Sequence, residues 1–154
     1  MKPNELQIYD WVLDKENLKH TVVGVNLGAD EDHTAVTVRV MEGGYSHGDL
    51  AHTTDVVRII EVKPLPLTAD ILELSGFERT RMGIGLKIYK RDGGNIYLEE
   101  KDPNTHEWLL AIRRRFPASD RCEVEMRVHY VHELQHALRL FDFDDKIIAC
   151  KEDK

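Results

Sequence analysis

Tyr130-Val131-His132-Glu133-Leu134-Gln135-His136-Ala137-Leu138-Arg139-Leu140-Phe141 is the one long run of helical period in a chain that otherwise reads as strands and turns. Stepping about 100° per residue from Val131, the side chains of Val131, Leu134, Ala137, Leu138 and Phe141 fall on one face. His132, Gln135, His136 and Arg139 fall on the opposite face. The run predicts a helix docked on a core through its aliphatic stripe, with the histidines, the glutamine and the arginine turned to solvent. A long helix after a series of short strands points to an α+β fold.

The same run contains His-Glu-x-x-His. His132 and His136 sit one turn apart, the spacing a helix needs to chelate a zinc ion, with Glu133 available as general base. A catalytic zinc also needs a third protein ligand and an open position for water. Asp142 stands where the long metzincin pattern places that ligand. Arg139, however, occupies the place of the glycine that lets the chain leave the helix and turn back to the metal. The last methionine, Met126, precedes the helix, so no Met-turn follows it. Glu152, the acidic residue left for a gluzincin-type site, is close to a terminus expected to fray. A zinc peptidase with His132, His136 and Asp142 as ligands is therefore the alternative reading. The preferred one is a structural helix carrying two solvated histidines, with no cofactor.

Three segments carry a resemblance. They are the opening Leu6-Gln7-Ile8-Tyr9-Asp10-Trp11-Val12, the junction running from Val62 through Pro64, Pro66 and Thr68 to Phe77, and the ending from Tyr130 to Leu140. In this order, over most of the chain, they resemble small proteins of gut Bacteroidetes and their phages that end in a Tyr-Val-His-(Glu/Gln)-Leu-Gln-(His/Asn) helix motif. The resemblance implies a mobile-element setting and brings no assigned activity with it. It also implies that the positions of Glu133 and His136 are often Gln and Asn among relatives, which could not hold zinc in this way.

Composition sets the bounds. With 154 residues, 42% hydrophobic and 32% charged, the chain is an ordinary soluble globular protein of one domain or two small ones. A formal net charge of −7 repels phosphates, so broad nucleic-acid binding is disfavoured without a local basic patch. Cys122 and Cys150 form no CxxC pair, which suits a reducing cytosol and a cytoplasmic location. No apolar run reaches the roughly 18 residues of a membrane span, and no export signal is visible at the N-terminus.

Residues 1–63 read as a first lobe of short strands: Ile8 to Leu13, His20 to Leu27, Thr34 to Met41 and Asp55 to Val62. Turn signals at 28–32 and 43–49 separate them. With the early Asp10-Trp11-Val12, this pattern resembles a small SH3-like β-barrel, a fold that binds many partner types. Asp30, Glu31 and Asp32 read as a solvated turn, and His33, His47 and His52 as surface residues without ligand spacing.

Residues 64–154 form the second predicted lobe. Pro64 and Pro66 stiffen an extended connector. Thr68 is a good N-cap, Asp70 suits the first turn, and Gly76 is placed as the residue just past the helix end. Phe77 can then close back on Leu72, which defines a two-turn helix over about 69–75. Beyond it the pattern predicts a four-stranded antiparallel meander with hairpin signals at Asp92-Gly93-Gly94-Asn95 and Asp102-Pro103-Asn104. The Tyr130 helix docks on one face of this sheet. Gly83-Ile84-Gly85 lacks the third glycine of a phosphate loop.

Two charge clusters remain. Arg113 and Arg115 share a side by period-two geometry and, with Arg114, Arg121, Arg127 and Arg139, read first as a solvated strand end that protects the sheet edge and second as a candidate site for phosphate or an acidic partner. Asp142, Asp144 and Asp145 begin like a calcium loop but lack its glycine and terminal glutamate, and read as a polar tail. The functional expectation is a non-enzymatic interaction module that binds a protein partner. The zinc peptidase is its first alternative, and a nucleic-acid binder using Arg113 and Arg115 its second.

Overall fold

The computed structural model describes residues 5–26, 28, 34–40, 54–80, 87–116 and 119–148. Two units emerge, Met1–Leu65 with Glu152–Lys154 and Pro66–Lys151. The chain is α+β: among the described residues each unit holds one five-stranded antiparallel sheet, and the second also carries two α-helices.

The first unit runs β1 (Trp11–Leu13), β2 (Lys19–Asn26), β3 (Ala35–Val40), β4 (Thr54–Arg58), a 3-10 helix (Ile59–Glu61) and β5 (Lys63–Pro64). Its sheet order is β4-β3-β2-β1-β5, so the last strand returns beside the first. Alternation along β3 turns Val36 and Val38 inward, where they join Leu6, Val12, Val22, Ile59 and Val62. The register shifts between Val22 and Gly24, a bulge on β2 where a side chain at Gly24 would lie in contact with Thr37.

Three expectations about this unit need correcting. The first strand is shorter than expected because Ile8 and Tyr9 form a turn, with Tyr9 in the left-handed region at φ 72°. The buried Asp10 holds that turn by accepting from the Gln7 amide at 2.7 Å. The fourth strand stops at Arg58 because Glu61 folds back on it, its carboxylate 3.0 Å from the guanidinium. The expected barrel closure is not seen among the described residues, where the sheet is open with β4 and β5 at its edges.

The second unit starts on the extended connector, where Leu67 donates to the His129 carbonyl at 2.9 Å and accepts from Trp108 Nε1 at 3.0 Å. Thr68 then caps α1 (Ala69–Leu74) by accepting from the Ile71 amide. The helix ends as expected. Gly76 has φ 80° and donates to Glu73 O, while Phe77 donates to Leu72 O. The strands are β6 (Glu78–Thr80), β7 (Ile88–Arg91), β8 (Ile96–Asp102), β9 (Glu107–Phe116) and β10 (Ser119–Val128), followed by α2 (Val131–Leu140). They form a simple meander of five strands, not four. The extra one is the three-residue β6, whose Glu-Arg-Thr carries no apolar alternation to announce it.

One face of this sheet is a core of large side chains: Tyr89, Ile96, Leu98, Trp108, Leu110, Ile112 and Val128. Tyr89 meets Trp108 edge-on with ring centroids 5.8 Å apart. Val131, Leu134, Ala137 and Leu138 of α2 are buried as the helical period predicts. The opposite face departs from expectation. His132 is 6% exposed and Gln135 2%, so neither is turned to solvent, and only His136 and Arg139 of that set are part-exposed. Beyond the helix, Ile147 is buried as well, 4% exposed.

Candidate functional site

The N-terminal end of α2 gathers the residues of the His-Glu-x-x-His string. Tyr130 is the N-cap residue in extended conformation, and Glu133 is the third residue of the helix. From there the Glu133 carboxylate reaches back and accepts from the amides of His129 at 2.7 Å and Tyr130 at 3.2 Å. Those amides have no intrahelical partner, and a glutamate at this position satisfies them as the acidic half of a capping box. The negative charge also complements the helix dipole. Glu133, the candidate base, is thus engaged in closing its own helix.

Around it lies a run of rings. His132 stacks on Tyr130 with an interplanar angle of 11° and meets His136 edge-on at 5.7 Å between centroids. A chain of side chains, Arg127, Glu107, His129 and Glu133, flanks them. Arg127 Nη1 is 3.1 Å from Glu107, Glu107 is 4.0 Å from His129 Nε2, and His129 Nδ1 is 3.9 Å from Glu133. His129 and Glu107 were not singled out in the sequence. They meet because β9 and β10 pair with Val128 opposite Trp108, and pairing register leaves no local signature.

Asp142 does not join the histidines. The α-helix continues without interruption to Leu140, roughly 12 Å of rise beyond His132. Asp142 lies past that end at φ 59°, donating its amide to Arg139 O, while Phe143 donates to Leu138 O. This is the same helix stop that Gly76 makes in α1, here made by an aspartate. A zinc ligand must lie about 2 Å from the metal, so the long metzincin geometry is not formed. Among the described residues no group of three or more His, Cys, Asp or Glu side chains could hold a metal ion.

Arg113 lies over the Tyr97 ring, its guanidinium carbon 4.6 Å from the centroid. Its register partner on β10 is Glu123. Of the other arginines, Arg127 pairs with Glu107 and Arg139 with Asp145. The side chains of Arg114, Arg115, Arg121 and Cys122 lie outside the described residues. So do Cys150, Glu152, the acidic tip at 30–32, His33, His47, His52 and the glycines at 83 and 85.

Asp14 and Tyr89 are among the groups held away from their ordinary titration range. Burial opposes ionisation of Asp14, but hydrogen bonds from His20 at 3.0 Å and from the Leu18 and Glu16 amides outweigh it and hold its carboxyl below the usual value. Burial, with the bond to Glu73 at 3.1 Å, pushes the Tyr89 hydroxyl up.

Among the described residues no helix is long and apolar enough to cross a membrane. Comparison with protein-family models, with curated proteins and with solved structures returns no match.

Proposed function

We propose that this chain is a non-enzymatic interaction module of mobile-element type, acting in the cytoplasm on a protein partner and without a bound metal. The observation that carries this reading is the use made of Glu133. Its carboxylate is directed at the amides of His129 and Tyr130, so the one catalytic string in the sequence serves the start of a helix. The stacked, buried His132 and the helix-terminating Asp142 support the same reading. The resemblance to small Bacteroidetes and phage proteins supports the mobile-element setting. For the first unit, the return of β5 beside β1 after a single 3-10 turn supports kinship with SH3-like barrels, which commonly serve as binding modules.

Zinc stoichiometry on the untagged full chain tests the proposal, beside Glu133→Gln and the His132→Ala, His136→Ala pair. The expected result is no zinc and the same melting temperature in EDTA as in added zinc. About one zinc per chain, lost in the double variant, would replace this reading with the peptidase.

A second reading keeps one observation in its favour. The Arg113–Tyr97 stack is an arrangement that also receives bases of single-stranded nucleic acid. It predicts salt-dependent binding of an oligonucleotide that Arg113→Ala abolishes. Unchanged binding in that variant removes it.

A further inference from the structure

β10 stands at one edge of the second sheet, and its neighbours fix which of its main-chain groups point outward. The Arg113 amide donates to the Asn95 carbonyl at 2.7 Å. By the period of two, Leu109, Ala111 and Arg113 therefore turn their main-chain groups toward the β8 side. Leu110 and Ile112 turn theirs toward β10, where their register partners are Met126 and Val124. The main-chain groups of Glu125 and Arg127 are left pointing away from the sheet. Among the described residues nothing bonds to them. This open stretch is bounded at both ends. Before it the register with β9 shifts between Ser119 and Cys122, and after it the His129 carbonyl is taken by the Leu67 amide at 2.9 Å.

An open strand edge is a template for another strand, and charges of one sign along it would keep copies of a chain apart. β10 carries both signs on one face. Glu125 and Arg127 lie two residues apart and are exposed, the Arg127 side chain 73% exposed beside Glu107. An antiparallel ladder forms only where outward groups meet outward groups. With a two-fold axis at Val124, Glu125 or Arg127, like charges stand directly opposite each other. With the axis at Met126, Glu125 of each copy stands opposite Arg127 of the other. The same register sets Val124 opposite Val128 of the other copy, and Met126 opposite itself, on the apolar face. Val124 and Met126 are half-buried in the single chain.

We propose that β10 pairs antiparallel with β10 of a second copy of this chain about Met126, so that the two second-unit sheets become one continuous sheet. Glu125 and Arg127 exchange main-chain bonds with Arg127 and Glu125 of the second copy, and their side chains pair across the seam. The contact is isologous, so it closes at two copies. It is short, and a contact of this size belongs with weak, transient interfaces. Such self-pairing goes beyond the binding of a different protein and does not depend on whether the histidines of α2 hold zinc.

The test is sedimentation velocity on the untagged full chain from low micromolar to near-millimolar concentration, with a thermal melt of each protein. The sedimentation coefficient of the unaltered chain should rise with concentration toward that of a dimer. Glu125→Arg alone and Arg127→Glu alone set like charges opposite each other and should remain monomeric. An equal mixture of these two variants should dimerise again, and so should the chain carrying both substitutions. Amide hydrogen exchange on the unaltered chain gives a readout that needs no variant: the Glu125 and Arg127 amides should exchange more slowly as concentration rises, and the Met126 amide, already bonded inside the sheet, should not change. A monomer at the highest concentration overturns the proposal. So does a dimer that survives both single substitutions, or a folded mixture that stays monomeric. If a variant melts without cooperativity the exchange rates decide, and Glu125 and Arg127 amides indifferent to concentration overturn it as well.

Discussion

The two sheets have the same number of strands and are held together by different means. The first is filled by small aliphatic side chains, mainly valines, and its turns are pinned by carboxylates. Asp10 holds the turn before β1, Asp14 the turn after it, and Glu61 the end of β4. The second is filled by Trp108, Tyr89 and leucines under a ten-residue helix. Small apolar groups contribute little each, about 0.8 kcal/mol per buried methylene. A sheet built from them leans on the hydrogen bonds that shape its loops. Large side chains fill space outright, and loop chemistry then matters less.

The largest test of this contrast is truncation of each core. Trp108→Ala should cost about 3–5 kcal/mol and Ile59→Val only about 0.5–1.5 kcal/mol. Each unit contains one of the two tryptophans, Trp11 and Trp108. Urea melts of Trp11→Phe and Trp108→Phe chains report the units separately, and the Ile59 substitution should move only the Trp11 signal.

Helix ends give a smaller effect. Glu133→Ala removes the acidic cap of α2 and should cost about 0.3–1.5 kcal/mol, whereas Glu133→Gln retains an acceptor and should cost less. The two helix stops predict opposite signs. Gly76→Ala places a side chain in open space but in an unfavourable backbone region, and should destabilise by roughly 1 kcal/mol. Asp142→Gly relieves the same strain and should stabilise by a similar amount. Both are read as shifts in denaturation midpoint.

The smallest effects are on pH. Asp14 has a lowered folded value, so its contribution is present above its ordinary range near 3.8 and is lost as pH falls through the folded value. Tyr89 has a raised folded value, so its contribution is present below its ordinary value of 10.0 and is lost as pH rises through the folded one. The first unit should therefore weaken at the acid limb and the second at the alkaline limb. Asp14→Asn should flatten the acid limb of the Trp11 signal alone. If both signals respond to it equally, the units are not independent.

What was legible in the sequence follows from how local each determinant is. Thr68, Gly76 and Phe77 lie within one short segment, so α1 and its ending could be read with their hydrogen bonds. The aliphatic stripe of α2 was equally plain. The burial of its other face was not, because a helical wheel reports the polarity of His132 and Gln135 and not how tertiary packing uses them. The same limit hid Arg91 and Ser75. An arginine at the end of a strand and a serine at a helix end look like solvated residues until residues 144–148 are laid against them. Glu133 entered the alternative, peptidase reading as a base because its spacing fits one, though the same spacing from Tyr130 fits a cap. Asp142 had the right separation for a ligand and the wrong backbone, and only the helix that continues to Leu140 shows which of the two decides.

The connector at Leu67 has a consequence for the order of events during synthesis. Its carbonyl waits for Trp108, and its amide for the His129 carbonyl. A ribosome has therefore to deliver more than sixty further residues before this segment finds both partners. The strands of the first sheet are all present once Pro64 has emerged. Domains generally fold as units in the order they are made, and contacts of long sequence separation form slowly. The first sheet can be complete while the connector is still bare, and that interval is when the nascent second unit is most exposed to misassembly.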